Sequence, residues 1–278
     1  MSDKIDIPTL RSNVESINAL PTVPSTLRRI SIMMEKPSIG LDELGRLISN
    51  DPALTAKILR MINSAAYGFP GRISSVSHAT MLLGLSVIKG LLIGVSVFEL
   101  MEKTMIGLWE HSMGCTVAAR MIAQKKGLKE PEEVSVCGLL HDIGKAVLML
   151  QYADVYGKAM QEAEKKGITI HEAEAGYFMA THAEVGHWLV QKWHFPVNLV
   201  ETIRHHHHPN LSKQAPMETA IVHVADVLAR AKGVGYPGDL VVPAVHPAAW
   251  EMLNLSENDI GDILRNLEEA TSSARETI

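Results

Sequence analysis

The architecture of this chain follows from residues 134–145, which read VSVCGLLHDIGK. A mostly apolar run leads directly into the adjacent pair His141 and Asp142, and Lys145 follows. The spacing predicts one helix over Pro131–Met149, and burying a histidine and an aspartate near its middle is costly unless they bind something. Lys145 is four positions after His141, so both side chains should lie on one helical face.

These residue types are ligands of divalent transition metals. Imidazole and carboxylate suit iron, manganese, nickel or zinc, and one bridging carboxylate can hold two ions together. A lysine on the same face adds a cation that can hold a phosphate beside the metal. A His-Asp pair by itself is more typical of a structural contact in which the histidine donates to the carboxylate. The interpretation therefore depends on partners elsewhere in the chain.

Further candidates lie on predicted apolar helices in the same half of the chain. They are His111 in the helix Leu108–Lys126, His182 beside the helix Ala183–Trp193, the run His205–His208, and Asp226 within the apolar run Ile221–Ala229. Only two neighbours of the histidine run can face one site, because successive helical residues are about 100° apart. An unpaired carboxylate inside an apolar helix is expensive to bury. The recurrence of such residues favours a metal site.

Each candidate also has a structural interpretation. His111 alone is typical of a core histidine, and the run His205–His208 is typical of a solvated helix end. Asp226 can pair with His223 or Arg230 on its own helix. Two cysteines lie one helical turn from candidate ligands, although cysteine is more often a small buried residue than a ligand. They are Cys115 and Cys137.

Some residues are assigned to supporting roles. Glu174 and Glu184 are candidates to orient His182 by accepting a hydrogen bond from the ring nitrogen that does not bind the metal. The other histidines are interpreted as structural or surface residues and not as ligands: His78, His171, His187, His194, His223 and His246.

Composition and charge limit the classes to which the protein can belong. Hydrophobic residues make up 46% of the 278 residues and aromatics only 5%, with 14 methionines, which predicts an aliphatic, helix-rich core. The net charge of −5 argues against nucleic acid as a partner, and Leu44–Tyr67 has too few basic residues for a DNA-binding helix-turn-helix. Two cysteines and an N-terminus without a signal-peptide pattern predict a soluble cytoplasmic protein.

The stretch Met81–Met101 is the segment most similar to a membrane span. Lys89 and Glu99 interrupt it, and a charge at bilayer depth is costly. Small residues recur at every fourth position and line one helical face that another helix can approach closely. They are Ser86, Gly90 and Gly94. We therefore predict one or two buried core helices here and no membrane.

Helix start and stop signals are frequent and strand signals nearly absent, so the fold class is predicted to be all-α. Asp51 followed by Pro52 is typical of an N-cap and first helical position, opening a helix to about Ala66. Ser75 or Ser77 is a candidate cap for the next helix. Further helices are predicted over Ser25–Glu35, Ala153–Lys166, His171–Phe178, Val197–His205, Met217–Lys232, Ala248–Asn254 and Glu257–Glu269, with a loop over Gly233–Pro247.

Longer phrases carry a family resemblance. In the first half they are LPTVPSTLRRI (20–30), LISNDPALTAKILRMINSAAYG (47–68) and ISSVSHATMLLGLSVIKGLL (73–92). In the second half they are GLLHDIGK (138–145), EAGYFMATHAEVGHWLVQKWHFP (174–196) and IRHHHHP (203–209). Over roughly residues 15–230 the chain resembles the HDOD family. That family is a regulatory relative of the HD superfamily of metal-dependent phosphohydrolases, which includes the HD-GYP branch.

The resemblance implies an all-α, two-lobed helical bundle of HDOD type with an HD-domain-like C-terminal lobe. We divide the chain into an N-terminal helical lobe, 1–105, and a metal-binding lobe, 106–278. The resemblance also implies one or two divalent ions bridged by Asp142, with iron or manganese preferred over zinc or nickel. The implied ligands are His111, His141, Asp142, His182, His206, His207 and Asp226, and the implied catalytic residues are Asp142 and Lys145.

One departure from the HD-GYP branch concerns the substrate. That branch has an acidic residue and a DGxGYP segment after its paired histidines, where this chain has His208-Pro209-Asn210. A Gly235-Tyr236-Pro237 segment follows Asp226 and is interpreted as coincidence. The departure argues against cleavage of cyclic-di-GMP.

Three functions remain open at this stage. The first is a bacterial signal-transduction regulator that binds a signalling protein or a nucleotide-type ligand and keeps the metal site to sense or to stabilise. The second is a metal-dependent phosphohydrolase, a phosphodiesterase or nucleotidase, that uses a metal-activated water. In the third, the histidines bind nothing and are structural.

Overall fold

The computed structural model of the protein describes residues 4–19, 25–36, 44, 48, 50–64 and 73–274. The regular secondary structure of the described part is helical, apart from an isolated parallel bridge between Ile5 and Phe178, so the predicted all-α class is confirmed. The helices are α1 Ile7–Glu15, α2 Ser25–Met34, α3 Pro52–Ile62, α4 Val76–Thr104, α5 Leu108–Lys125, α6 Pro131–Leu140, α7 Ile143–Lys166, α8 Ile170–Glu174, α9 His182–Lys192, α10 Val197–His205, α11 Pro216–Ala231, α12 Pro247–Leu253 and α13 Glu257–Ala274.

Local capping chemistry sets the start of the N-terminal helices. The carboxylate of Asp51 accepts a hydrogen bond from the backbone N–H of Leu54 at 3.0 Å, so α3 begins where the Asp-Pro pair predicts. The hydroxyl of Ser75 accepts from the N–H of His78 at 3.2 Å and begins α4. Helix α3 ends at Ile62, earlier than predicted, and the predicted end at Ala66 lies outside the described residues.

Helix α4 is a core helix, as its small residues predicted. Its segment Val76–Phe98 is long and apolar enough to cross a membrane, but 67% of its most apolar window is buried inside the protein. A Cβ at Gly90 would lie 2.1 Å from Val136, and one at Gly94 would lie 2.6 Å from Leu139. Only glycine therefore lets α4 approach α6 this closely. Gly84, with φ of 78°, divides α4 into two helical parts.

The prediction of one helix over Pro131–Met149 is wrong, because the chain turns at the His-Asp pair. Helix α6 ends at Leu140, His141 caps it, and Asp142 precedes the first residue of α7. In a continuous helix two adjacent side chains point about 100° apart and cannot converge. The turn lets both side chains face one centre, so it is the local feature on which the site depends.

Other boundaries differ by a few residues. Tyr152, with φ of −136° and ψ of 43°, interrupts α7 and separates the predicted helix Ala153–Lys166 from the part that follows Asp142. The predicted helix His171–Phe178 is the short α8, and α1 was not predicted. The loop after α11 extends to Pro247 as expected.

The two halves of the described chain share one core. The indole N–H of Trp193 on α9 donates to the hydroxyl of Ser31 on α2 at 2.6 Å, and both side chains are buried. Apolar residues from α1 through α13 form one contiguous hydrophobic cluster. The division of the chain at residue 105 stays a prediction.

Candidate metal centre

The carboxylate of Asp142 lies at the centre of the predicted ligands. Its Oδ2 atom is 3.2 Å from Nε2 of His141 and 3.7 Å from Nε2 of His111. Its Oδ1 atom is 3.3 Å from Nε2 of His182 and 3.7 Å from Nε2 of His206. Each oxygen therefore faces a different pair of imidazoles, which is the arrangement expected of a bridging carboxylate.

The potential ligand atoms form two groups. The first donor group is His111, Cys115, His141 and Asp226, and the second donor group is Asp142, His182, His206 and His207. Within each group the ligand atoms lie within 4.8 Å of one another. The fold thus brings together all seven residues predicted as ligands, from helices α5, α9 and α11, the α6–α7 turn and the end of α10.

Several buried atoms of the two groups have no hydrogen-bond partner within the described chain. Nδ1 of His111 is one, and the three that face the centre are Nε2 of His141, Nε2 of His206 and Oδ1 of Asp142. These three side chains are fully buried. Burying unpaired polar atoms is costly, and atoms that converge on one centre are satisfied together by a cation there. The donor set of imidazole nitrogens and carboxylate oxygens fits a divalent transition metal.

In three of the histidines Nδ1, the ring nitrogen other than Nε2, donates to a hydrogen-bond acceptor. Nδ1 of His141 donates to the carbonyl of Gly138 at 2.7 Å, and Nδ1 of His206 donates to the carbonyl of Ile203 at 2.7 Å. Nδ1 of His182 donates to the carboxylate of Glu174 at 2.8 Å. A proton on Nδ1 leaves the lone pair on Nε2 free, and this is how metal-binding histidines are usually oriented.

Glu174 is the better supported of the two glutamates considered from sequence. Besides Nδ1, it accepts from the backbone N–H of His182 at 2.9 Å, and the hydroxyl of Tyr156 donates to it at 2.8 Å. Glu184 instead forms a capping box with Thr181 at the start of α9. Glu174 therefore orients His182, and Tyr156 in turn orients Glu174.

Electrostatics favour the metal-binding protonation states of Asp142, His206 and His207. Burial by itself would raise the pKa of Asp142, but the charges of His141 and Lys145 outweigh it and hold this pKa well below its usual value. Burial also lowers the pKa of His206 and of His207 well below the usual value. A charged carboxylate and neutral imidazoles are the forms that bind metal.

Lys145 is part of the same buried cluster. Its ammonium nitrogen lies 2.6 Å from Oδ2 of Asp142, and the side chain is fully buried. Asp142 and Lys145 are three positions apart and pair across the first turn of α7. His141 precedes this helix, so Lys145 and His141 do not lie on one helical face as predicted. The predicted phosphate-holding role of Lys145 stays a prediction.

The two cysteines lie in different places. Sγ of Cys115 is 3.5 Å from Nε2 of His111, within the first donor group, and burial raises the pKa of its thiol well above the usual value. Cys137 lies in the main hydrophobic core and in neither donor group, and burial raises the pKa of its thiol. Cys137 therefore belongs to the core.

The histidine run divides as the resemblance implied. Helix α10 ends at His205, and the two residues after it, His206 and His207, enter the second donor group. His205 lies 4.0 Å from Glu201 on its own helix, and His208 is exposed. The end of α10 therefore directs two of the four histidines into the centre.

Sequence reasoning missed His171, which was assigned a structural or surface role. Its ring centroid lies 4.3 Å from that of His207, 5.4 Å from that of His208 and 5.9 Å from that of His182. Both His171 and His207 are partly exposed, so they form the solvent-facing edge of the cluster. No periodic pattern marks His171, because the short helix α8 is placed by contacts with distant residues.

The Gly235-Tyr236 segment packs against the helix that carries His111. The backbone N–H of Tyr236 donates to the carbonyl of Gly107 at 2.8 Å. A Cβ at Gly235, where φ is 66°, would lie 2.3 Å from the backbone nitrogen of His111. The segment therefore supports the start of α5, a contact that the interpretation as coincidence did not foresee.

Comparison with known proteins identifies related sequences. The model of the HDOD domain family matches residues 20–209. An uncharacterized protein of Treponema pallidum is 30% identical over 200 residues, which is 70% of this chain and 39% of that protein. The chain thus spans about two fifths of the length of this curated relative.

Two crystal structures share the fold. One is an HDOD domain protein of unknown function from Geobacter sulfurreducens, with a TM-score of 0.70, 27% identity, and 98% of this chain and 99% of that chain covered. The other comes from Marinobacter aquaeolei and is provisionally named a signal transduction protein. It has a TM-score of 0.69 and 19% identity, covers 95% of this chain and 60% of that chain, and shows likeness of fold alone.

Proposed function

Because this chain belongs to the HDOD domain family, we propose that it is a bacterial signal-transduction regulator that keeps a divalent-metal site. The site would take one or two ions, iron or manganese in preference to zinc or nickel. The bound metal would stabilise the second half of the chain and the surface offered to a signalling protein or a nucleotide-type ligand. Metal occupancy would then be the signal that the partner senses.

The observation that carries the proposal is the position of Asp142. Each of its two oxygens faces two imidazole nitrogens, and three of the converging atoms have no other hydrogen-bond partner in the described chain. Purely structural histidines would be satisfied by one another or by the backbone. In His141 and His206 the outer nitrogen Nδ1 is satisfied by a backbone carbonyl, whereas the Nε2 atom that faces Asp142 has no hydrogen-bond partner among the described residues.

Burial supports a regulator over an enzyme. Among the seven predicted ligands, only His207 has more than 2% of its surface exposed. Lys145, the group that would hold a phosphate, is paired with Asp142 and fully buried. A substrate would have to enter past His171 and His207, whereas a stabilising or sensing ion needs no such opening.

Removing the metal should lower the thermal stability of the protein. At a hundredfold excess of free metal over its dissociation constant, binding contributes about 2.7 kcal/mol. For a chain of this size that corresponds to a fall in Tm of roughly 5–10 °C on chelation. Differential scanning calorimetry with and without a chelator measures it, and added Mn²⁺ should restore the original Tm. If chelation of the metal-loaded protein left its Tm unchanged, the result would contradict the proposal.

The second candidate function is a metal-dependent phosphohydrolase. It is favoured by the two adjacent donor groups, whose imidazoles face the two oxygens of Asp142, since paired divalent ions supply Lewis acidity to a phosphate and an activated nucleophile. In this function Lys145 would leave Asp142 to hold a phosphate oxygen, and His171 and His207 would line the entrance.

Turnover of bis-p-nitrophenyl phosphate separates the two functions. A hydrolase should cleave it when loaded with Mn²⁺ or Fe²⁺, and Lys145→Met should lower kcat by about 10²-fold or more without loss of metal. A regulator should show stoichiometric metal and no cleavage above background. Assays at equal metal content, checked by elemental analysis, make the comparison direct.

A further inference from the structure

Arg230 on α11 joins two buried carboxylates. Its Nε donates to Oδ1 of Asp226 at 2.9 Å, and its Nη1 donates to Oδ1 of Asp239 at 2.9 Å and to Oδ2 at 3.1 Å. All three side chains are at least nine-tenths buried. The same Oδ1 atom of Asp226 lies 3.0 Å from Nε2 of His111. The guanidinium therefore acts directly on one carboxylate of the first donor group.

Asp239 connects this pair to two other elements. Its Oδ2 accepts from the backbone N–H of Ile170, the first residue of α8, at 2.8 Å, and its Oδ1 accepts from the N–H of Val241 at 2.9 Å. Arg230 also donates to the carbonyl of Val241 at 3.3 Å. The loop after α11 is thereby tied to α8, which carries Glu174.

We propose that Arg230 and Asp239 are positioning residues for metal binding, which fix the direction of the Asp226 carboxylate toward the centre. This inference rests on the metal site proposed above. The guanidinium is a rigid planar fork, so its two nitrogens hold Asp226 and Asp239 at a set distance and angle. Without it, the two buried carboxylates would lose the cation they share and would move apart or take up protons.

The alternative is that Arg230 acts through its charge alone. In that case a lysine would replace it, and loss of the charge would leave Asp226 more negative and a stronger ligand. The geometric role predicts the opposite in both cases, because one ammonium cannot donate along the two directions that Nε and Nη1 use. The variants Arg230→Lys and Arg230→Met therefore distinguish the two mechanisms.

The experiment measures the dissociation constant of Mn²⁺ by titration calorimetry on chelator-treated full-length protein. Both variants should bind Mn²⁺ 10- to 100-fold more weakly than the wild type, as is typical when the partners of ligands are removed. The visible spectrum of each variant loaded with Co²⁺ should also differ from that of the Co²⁺-loaded wild type. Arg265→Met, at an arginine that is 72% exposed, is the control and should leave both readouts unchanged.

Several outcomes would overturn the inference. Wild-type affinity and an unchanged Co²⁺ spectrum in Arg230→Lys would do so, as would tighter Mn²⁺ binding by Arg230→Met. If Arg230→Met does not fold, Asp239→Asn releases the fork while keeping the Arg230–Asp226 pair, and wild-type affinity in it would also refute the role. Failure of the wild type to bind Mn²⁺ would instead refute the proposed metal site itself.

Discussion

Replacing Asp142 with asparagine should remove the metal from the purified protein. Its oxygens face imidazoles of both donor groups, so one substitution affects every ion the site can hold. Asparagine keeps the size of the side chain but loses the negative charge that a divalent ion requires. Elemental analysis by inductively coupled plasma mass spectrometry should show one or two ions per chain in the wild type and less than about a tenth of that in the variant.

Two controls make this result interpretable. Asp154→Asn changes an exposed aspartate on the same helix and should retain the metal. Asp142→Asn also leaves the buried ammonium of Lys145 unpaired, which is destabilising. The double variant Asp142→Asn/Lys145→Met removes both charges, so loss of metal in it cannot be attributed to an unpaired lysine. Full metal content in the folded double variant would contradict the site.

Replacing Gly144 with alanine should produce the largest loss of stability. A Cβ at this position would lie 1.9 Å from the carbonyl oxygen of His182 and 2.8 Å from the backbone nitrogen of Gly186. Both atoms belong to the backbone of α9, so no side-chain rotation relieves the clash, and α7 and α9 must separate. We expect a loss of about 3 kcal/mol or more in the free energy of unfolding, at the upper end of overpacking effects.

Gly157→Ala is the matched control on the same helix. Nothing lies within 4 Å of a Cβ there, and alanine in a helix should be neutral or stabilising by up to about 1 kcal/mol. Urea unfolding of the two variants measures the difference. Because separation of α7 and α9 also moves His182 from Asp142, folded Gly144→Ala should bind less metal. Equal unfolding midpoints for Gly144→Ala and the wild type would contradict the close approach.

Much of the fold was predictable because its signals are local. Asp51, Pro52 and Ser75 begin helices through hydrogen bonds to residues three positions away. Gly90 and Gly94 indicated a close helix contact, which the structure places against α6. These features depend on near neighbours in the sequence or on one helical face, so periodicity and capping chemistry are enough to find them.

The candidate site was predictable in its residue types but not in its geometry. Histidines and aspartates on apolar helices were conspicuous, and the resemblance placed them in order. The turn at His141 and Asp142 was missed, since the apolar pattern continues across it. His171 and the supporting pair Arg230 and Asp239 were also missed as parts of the site.

The sequence alone therefore determined the all-α class, most helix starts and the identity of the potential ligands, because each is encoded in short-range patterns. Tertiary structure alone decided which atoms converge. The contact of Asp142 with His182, the hydrogen bond from the N–H of Ile170 to Asp239 and the ring contact of His171 with His207 join residues far apart in the chain. No local pattern specifies such contacts, since they arise only when the helices pack around a shared core.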